Sequence, residues 1–402
     1  MLTRRQLLRT TMLAGGALTL PRWARAIAAP TRPERVLVIV QLEGGNDSLS
    51  TLVPWRDDLY WSLRPALAEP RDELLELDEW HALHPALARL RARHARGQIA
   101  CVQNVGYPRP NLSHFRSKDI WDTAACEDPL PGDGWLGRIG ARTPLARAAL
   151  GAERLPRSMW TSDGSACAIS SLGGYRLRSA ARGANASEAE CRERAVAMLH
   201  RCADAGPEAR MGQAYRAAEL SIRELRRTEA FTPQVDFPAS TIGRDLEAVA
   251  RVLGAGIETR LFHVAQPGYD THTGQRREHA ELLAALDLAL EAFLQEMEHQ
   301  GRLEEVLVMT ISDFGRRARE NGIGNTAGTD HGAAGLQILC GGRVKGGIYG
   351  GQVDLEHLDE HGNLTAKVDF RQVYATVVEK WFGTDSKSIL GAKHACLDLL
   401  DA

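Results

Sequence analysis

Carboxylates and imidazoles fall in four short polar segments of this sequence: Asn46-Asp47, Asp270-Thr-His272, Asp313, and Asp330-His331. Asp and His together are donor types that zinc and manganese accept, and a bound divalent cation is in turn what an anionic substrate needs. Asp270 and His272, two apart, point the same way if their segment is extended. Each pair alone has a plainer explanation, because an Asp after a strand commonly caps a helix. Their recurrence after apolar, strand-like runs is what points to one metal site. Ser113, in Pro110-Asn-Leu-Ser-His-Phe115 at the start of a helical stretch, is the candidate nucleophile, since helix N-terminal N–H groups and the helix dipole favour an anion there. The same serine also reads as an N-cap. His114 reads either as a supporting partner of the site or as a core histidine.

The elements that must position these residues alternate in type. Val36–Leu42 is a nearly continuous apolar run ending in Glu43-Gly-Gly-Asn-Asp47. It reads as a central strand of a parallel sheet, with ligands expected at its C-terminal edge. A helix around Pro85–His94, a strand Gln98–Gln103, the loop Pro108–Ser113 and a helix His114–Ala125 follow. Further on, the pattern predicts a helix Asp245–Leu253, strands Arg260–Ala265 and Val306–Ile311, a strand Leu336–Cys340 and a last helix Phe370–Trp381. Between the second and third of these lies a long helix with Leu282, Leu286, Leu290, Phe293 and Met297 on one stripe. His279 stands on that stripe, which makes it structural rather than a ligand. The alternation predicts an α/β fold, a mostly parallel central sheet with helices on both faces. An Ala/Arg/Glu-rich stretch at about 173–230 predicts a helical insertion over or beside the site.

With 402 residues, 44% hydrophobic and 25% charged, the chain has the composition of a globular protein. The first 28 residues hold Arg4, Arg5, Arg9, Arg22 and Arg25 and no acid, so without them the formal charge moves from −2 to −7. A mildly acidic remainder lacks the basic face of a nucleic-acid binder, and no nucleic-acid partner is expected. Arg4-Arg5 followed by Leu7-Leu8, an apolar run Leu13–Leu20 and small residues up to Ala28 form a twin-arginine signal peptide. The partner during export would be the twin-arginine translocase. The apolar run is short of the ~20 residues a span needs, so no stable membrane span is expected and the mature part, 29–402, reads as one soluble domain in the periplasm or secreted. Seven scattered cysteines without C-x-x-C spacing fit neither a zinc ribbon nor a disulfide scaffold; Cys191 and Cys202 either pair or remain buried thiols. G-x-S-x-G, a dinucleotide fingerprint, a phosphate-binding G-K-[ST] loop and Cys-x-Pro-x-Arg are all missing.

Val38-Ile-Val-Gln-Leu-Glu-Gly-Gly-Asn-Asp47, Tyr107-Pro-Arg-Pro-Asn-Leu-Ser-His-Phe-Arg116, Gly268-Tyr-Asp-Thr-His272, Ser312-Asp-Phe-Gly-Arg316 and Gly328-Thr-Asp-His-Gly332 resemble the exported bacterial proteins grouped as domain of unknown function family 1501. That family is placed near the alkaline phosphatase and sulfatase superfamily of metal-dependent hydrolases. The resemblance implies an alkaline-phosphatase-like fold, with Asp47 as a bridging ligand, Ser113 as nucleophile, Asp270 and His272 on one metal, Asp313 on the other and His331 completing the set. Asp330 would substitute as an oxygen ligand. Asp270 and His272 are two apart where the superfamily spaces that pair by four, and Phe314 stands where a second-metal histidine is expected. One or two divalent ions are implied, among zinc, manganese, calcium and magnesium. The expected function is hydrolysis of a phosphate or related anionic ester, free or attached to a polymer, with Arg116 or Arg316 holding the non-bridging oxygens. The rival from another class is an exported, non-catalytic binding protein with a degenerate metal site. The metal reading requires Asp47, Asp270, His272, Asp313 and His331 to line one cavity.

Overall fold

Val36–Glu43 (β1) buries both of its faces: Val36, Val38, Val40 and Leu42 enter one apolar cluster, Leu37 and Ile39 the other. A strand with no polar face belongs at the centre of a sheet covered on both sides. The computed structural model describes residues 35–140, 143, 145–162, 165–174, 194 and 218–401. The expected signal segment 1–28, most of the expected insertion at 173–230, Cys191 and Cys202 lie outside the described residues.

Eight further strands join β1: Ile99–Gly106 (β2), Arg147–Leu150 (β3), Ala166–Ile169 (β4), Leu261–Pro267 (β5), Val306–Ser312 (β6), Gly335–Cys340 (β7), Gly347–Tyr349 (β8) and Val368–Asp369 (β9). The order is β8-β2-β7-β6-β1-β5-β3-β4, with β9 also pairing β2. All pairings are parallel except those of β7, which runs antiparallel to both β2 and β6. The cause is the connection after β6. A parallel return needs a long crossover, whereas here Gly315–Arg316 pairs antiparallel with His331–Gly332 and turns the chain back. Strands β3 and β4 have no counterpart in the sequence-based expectation, because Arg147-Ala-Ala-Leu150 and Ala166-Cys-Ala-Ile169 lack the β-branched runs that mark strands.

Five α-helices matter for the site: Ser48–Thr51 (α1), His114–Thr123 (α2), Thr241–Gly254 (α3), Gln275–His299 (α4) and Phe370–Thr376 (α5). α3 and α4 cover one face through Leu246, Val249, Leu286, Leu290 and Phe293; α2 and α5 cover the other through Ile120, Trp121, Phe370 and Tyr374. The expected helix Phe370–Trp381 is α-helical only to Thr376, continues as a π-turn over Val377–Trp381, and is not the last, since Ser386–Leu390 is also helical. Of the seven cysteines, Cys101, Cys126, Cys167, Cys340 and Cys396 are free. No helix among the described residues is long and apolar enough to cross a membrane.

The C-terminal ends of β1, β2, β5 and β6 and the N-terminal end of β7 meet at one edge of the sheet. Gly44 makes this edge tight: its φ is +115°, and a Cβ there would collide with the backbone of Tyr269 and Asp270 after β5. Gly44→Ala therefore destabilises by more than ~1 kcal/mol and pushes Asp270 out of place. Urea denaturation and metal content read both effects; an unchanged midpoint with full metal content contradicts this account.

Candidate metal centre

Asp270 lies where the chain leaves β5, and three imidazoles converge on its carboxylate. His331 Nε2 and His272 Nε2 are each 3.1 Å from Oδ1, and His114 Nε2 is 3.4 Å from Oδ2. The two Nε2 atoms of His272 and His331 are 3.0 Å apart. Each ring arrives from a different element: His114 opens α2, His272 follows β5, and His331 starts the short strand that leads into β7.

The outer nitrogens of His331 and His114 are hydrogen-bonded as well, and that of His272 lies near a carboxylate. His331 Nδ1 donates to the Leu112 carbonyl at 2.8 Å, His114 Nδ1 donates to Asp313 Oδ2 at 2.8 Å, and His272 Nδ1 lies 3.4 Å from Asp330 Oδ1. An acceptor at Nδ1 places the proton there and leaves Nε2 as a bare lone pair. The bare nitrogens of His114 and His331 therefore face the Asp270 carboxylate, an arrangement that a cation among them would stabilise. Burial, the first cause, together with nearby Arg316, holds the His331 imidazole below its ordinary value, which disfavours a proton as that cation. A carboxylate and imidazoles turned inward by outer hydrogen bonds is the arrangement of a transition-metal site. Ligand atoms of His114, Asp270 and His331 fall within 4.8 Å of one another. A tetrahedron of ~2.0 Å bonds places its corners roughly 3.3 Å apart, so the residues fit a zinc-sized ion.

Arg316 fixes this geometry. Its guanidinium is fully buried and donates to the carbonyls of Gly44, Gly45, Tyr269 and Thr329 and to Asp270 Oδ1, the last at 2.7 Å. Burial raises the Asp270 carboxyl, but the hydrogen bond and charge of Arg316 outweigh it and hold it at about 2. Arg316 is thus committed to the scaffold and is not available to substrate oxygens. Arg116 is likewise engaged elsewhere, 2.9 Å from Asp128.

The remaining expected residues divide. Asp313 is not placed as a ligand: its carboxylate accepts from His114, from Gln41 Nε2 at 3.1 Å and from the Gly44 N–H at 3.3 Å. Burial pushes this carboxyl up, against the opposing pull of His114 and Lys118. Asp330 orients His272 and also accepts from Asn321 Nδ2 at 3.0 Å. Phe314 braces two of the imidazoles, its ring 4.2 Å from that of His331 and 4.7 Å from that of His114. His114 carries more than the sequence suggested. The available signal was its position directly after Ser113 at a helix start. Ser113 itself is exposed at the N-cap position, its carbonyl accepting from Ser117 N at 2.8 Å, and its side chain makes no capping bond.

Asp47 is placed apart from the cluster. It caps α1 through the N–H groups of Leu49 and Ser50, accepts from Gln275, and forms a buried ion pair with Arg64 at 2.5 Å. Burial raises its carboxyl, yet the charge and hydrogen bond of Arg64 overcome this and hold it at about 2. His279 is buried on α4, with Nε2 2.9 Å from Asn46 Oδ1, and burial pushes its imidazole down to about 3.

Two outcomes follow from this division. Asp47→Ala strands the Arg64 charge and costs roughly 3–5 kcal/mol at pH 7. Because the folded carboxyl titrates at about 2, below the ordinary ~3.9, the ionised share of this contribution, up to ~2.6 kcal/mol, is complete above about pH 4 and is lost as pH falls through 2; urea denaturation of both proteins across pH 2–7 should show the gap narrowing in that window. His272→Gln should lose bound metal and His279→Gln keep it, by elemental analysis of purified protein; the reverse pattern would show the ligands misassigned.

No curated protein matches this chain in sequence. Among solved structures, the chain is similar to the C-terminal periplasmic domain of EcEptC from Escherichia coli in complex with Zn, at 10% identity and TM-score 0.37, covering 78% of this chain and 74% of that one. It is also similar to the phosphonate monoester hydrolase SpPMH from Silicibacter pomeroyi, at 10% identity and TM-score 0.34, covering 78% and 70%. A protein in the alkaline phosphatase superfamily from Vibrio parahaemolyticus gives 8% identity and TM-score 0.30, covering 79% and 62%. Residues 34–394 match the family described as protein of unknown function (DUF1501), and the chain belongs to that family.

Proposed function

We propose that this chain is an exported, metal-dependent hydrolase of a phosphate or related anionic ester, on an alkaline-phosphatase-like scaffold. The observation that carries the proposal is the convergence of His114, His272 and His331 on Asp270, with the outer nitrogens of His114 and His331 already hydrogen-bonded. These four residues would hold one ion; a nitrogen-rich donor set suits zinc or manganese better than calcium or magnesium. Bound there, the ion would polarise an ester oxygen and offset developing negative charge.

The chain's own residues supply the rest. Ser113, exposed and not spent on its cap, directly precedes the ligand His114. Its hydroxyl oxygen would attack the phosphorus or sulfur centre as the bond to the leaving oxygen breaks, its proton passing through solvent to that oxygen, and water would then cleave the seryl ester to release the anion and restore the hydroxyl. The first N–H groups of α2 would receive the charge on the non-bridging oxygens, in place of Arg116 and Arg316. Asp313 and Leu112 hold the rings of His114 and His331 in position, and Phe314 closes one side of the cluster. Export would proceed through the twin-arginine translocase, which accepts proteins already folded, so the ion would be bound before transport.

The binding-protein alternative has its own support: Asp47 is tied to Arg64, Phe314 stands where the resemblance expects a histidine, and both expected arginines are engaged. Elemental analysis followed by chromogenic phosphate and sulfate esters separates the two. The enzyme reading expects about one ion per chain, turnover that a chelator abolishes, and Ser113→Ala inactive with metal content and Tm nearly unchanged. Metal without turnover on any ester favours the binding protein. A chain that binds no metal removes the enzyme reading.

A further inference from the structure

A cleft of about 960 Å³ opens beside the cluster, with His114 and Asp313 forming its near end. It runs between α2 and the C-terminal ends of β1 and β5, under the segment from Leu150 to Trp160. We propose that this cleft binds an oligosaccharide segment, whose ester group is presented to the metal centre.

Four features of the cleft support this. Its volume is at the upper end for small-molecule sites, which suits several linked rings rather than one. Deep in it, Asp122 and His263 are only 7% and 6% exposed, and neither side chain has a hydrogen-bond partner among the described residues. Such groups call for a hydroxylated occupant, because an acyl chain would leave them buried and unsatisfied. Burial raises the Asp122 carboxyl to about 7 and lowers the His263 imidazole to about 3, so near neutral pH both can donate and accept. Two ion pairs in the cleft walls, Lys118–Glu43 at 2.6 Å and Arg157–Asp119 at 2.5 Å, set donors beside acceptors, as a pair of vicinal hydroxyls requires. Lastly, Phe115 is 88% exposed and Trp160 is 48% exposed, both lining the cleft. The Trp160 ring is fixed by its own Nε1 donating to the Leu155 carbonyl at 3.0 Å. Exposed aromatic faces above a polar floor match a sugar ring, which is apolar on its C–H face and polar around its rim.

Presentation of an ester rests on the hydrolase reading, whereas occupancy of the cleft does not. The test therefore uses unesterified hexasaccharides of cellulose, agarose, chitin and β-mannan, titrated calorimetrically into the metal-loaded and the chelator-treated protein. At least one should bind both forms, and Phe115→Ala and Trp160→Ala should each weaken it about tenfold, or ~1.4 kcal/mol. Phe115→Trp should restore binding, with metal content unchanged throughout; because Phe115 is so exposed, its substitution leaves the fold intact. The proposal is overturned if none of the four binds, if binding ignores both aromatic substitutions, or if nucleoside monophosphates bind in their place with the same dependence on Phe115. Hexasaccharide binding without turnover of sulfated or phosphorylated forms would count against the hydrolase reading alone.

Discussion

The Arg316 guanidinium is a full charge with no access to water. Such a group is tolerated only where enough acceptors surround it, and here they come from separate stretches of chain: Gly44 and Gly45 after β1, Tyr269 and Asp270 after β5, and Thr329 before His331. Pulling any of these loops away leaves part of the charge unsatisfied. The clustering of Asp270 and the imidazoles at this edge is therefore secured by buried contacts of the scaffold. Asp270 is shared between the clamp and the cluster, so the position of the carboxylate is set by the scaffold before any ion arrives.

The imidazoles follow the same logic at shorter range. Asp313, Leu112 and Asp330 each engage an outer nitrogen, and Phe314 packs against two of the rings. These supports come from β6's exit, the loop before α2 and the return toward β7. Side chains drawn from distant points in sequence are thus assembled with little freedom left to lose.

Much of this was legible in the residues. β1 announced itself through an apolar run with no polar face, α4 through a stripe of leucines, and the convergence of Asp270, His272 and His331 through polar residues repeated at strand ends. What was not legible depended on partners remote in sequence. Asp47 has the look of a ligand until Arg64 is brought against it, and Arg316 has the look of an anion binder until loops from three regions close over it. His114 was undervalued because nothing local distinguishes a ligand from a core histidine. β3 and β4 escaped notice since alanine and arginine carry little strand signal, and they are held as strands by pairing with each other and with β5.

The reversed direction of β7 has a consequence for how members of this family can diverge. Because the return is closed at its base by Gly315 pairing with Gly332 and again by Asn321 bridging Gly328, the chain between can change length while both ends stay anchored. Loop closure grows slowly with length, about 0.6 kcal/mol for each doubling, so insertions at its tip are thermodynamically cheap. The exposed tip around Ile323 could then vary from one relative to another and reshape the rim of the centre, while Arg316 and His331 at the base remain in register.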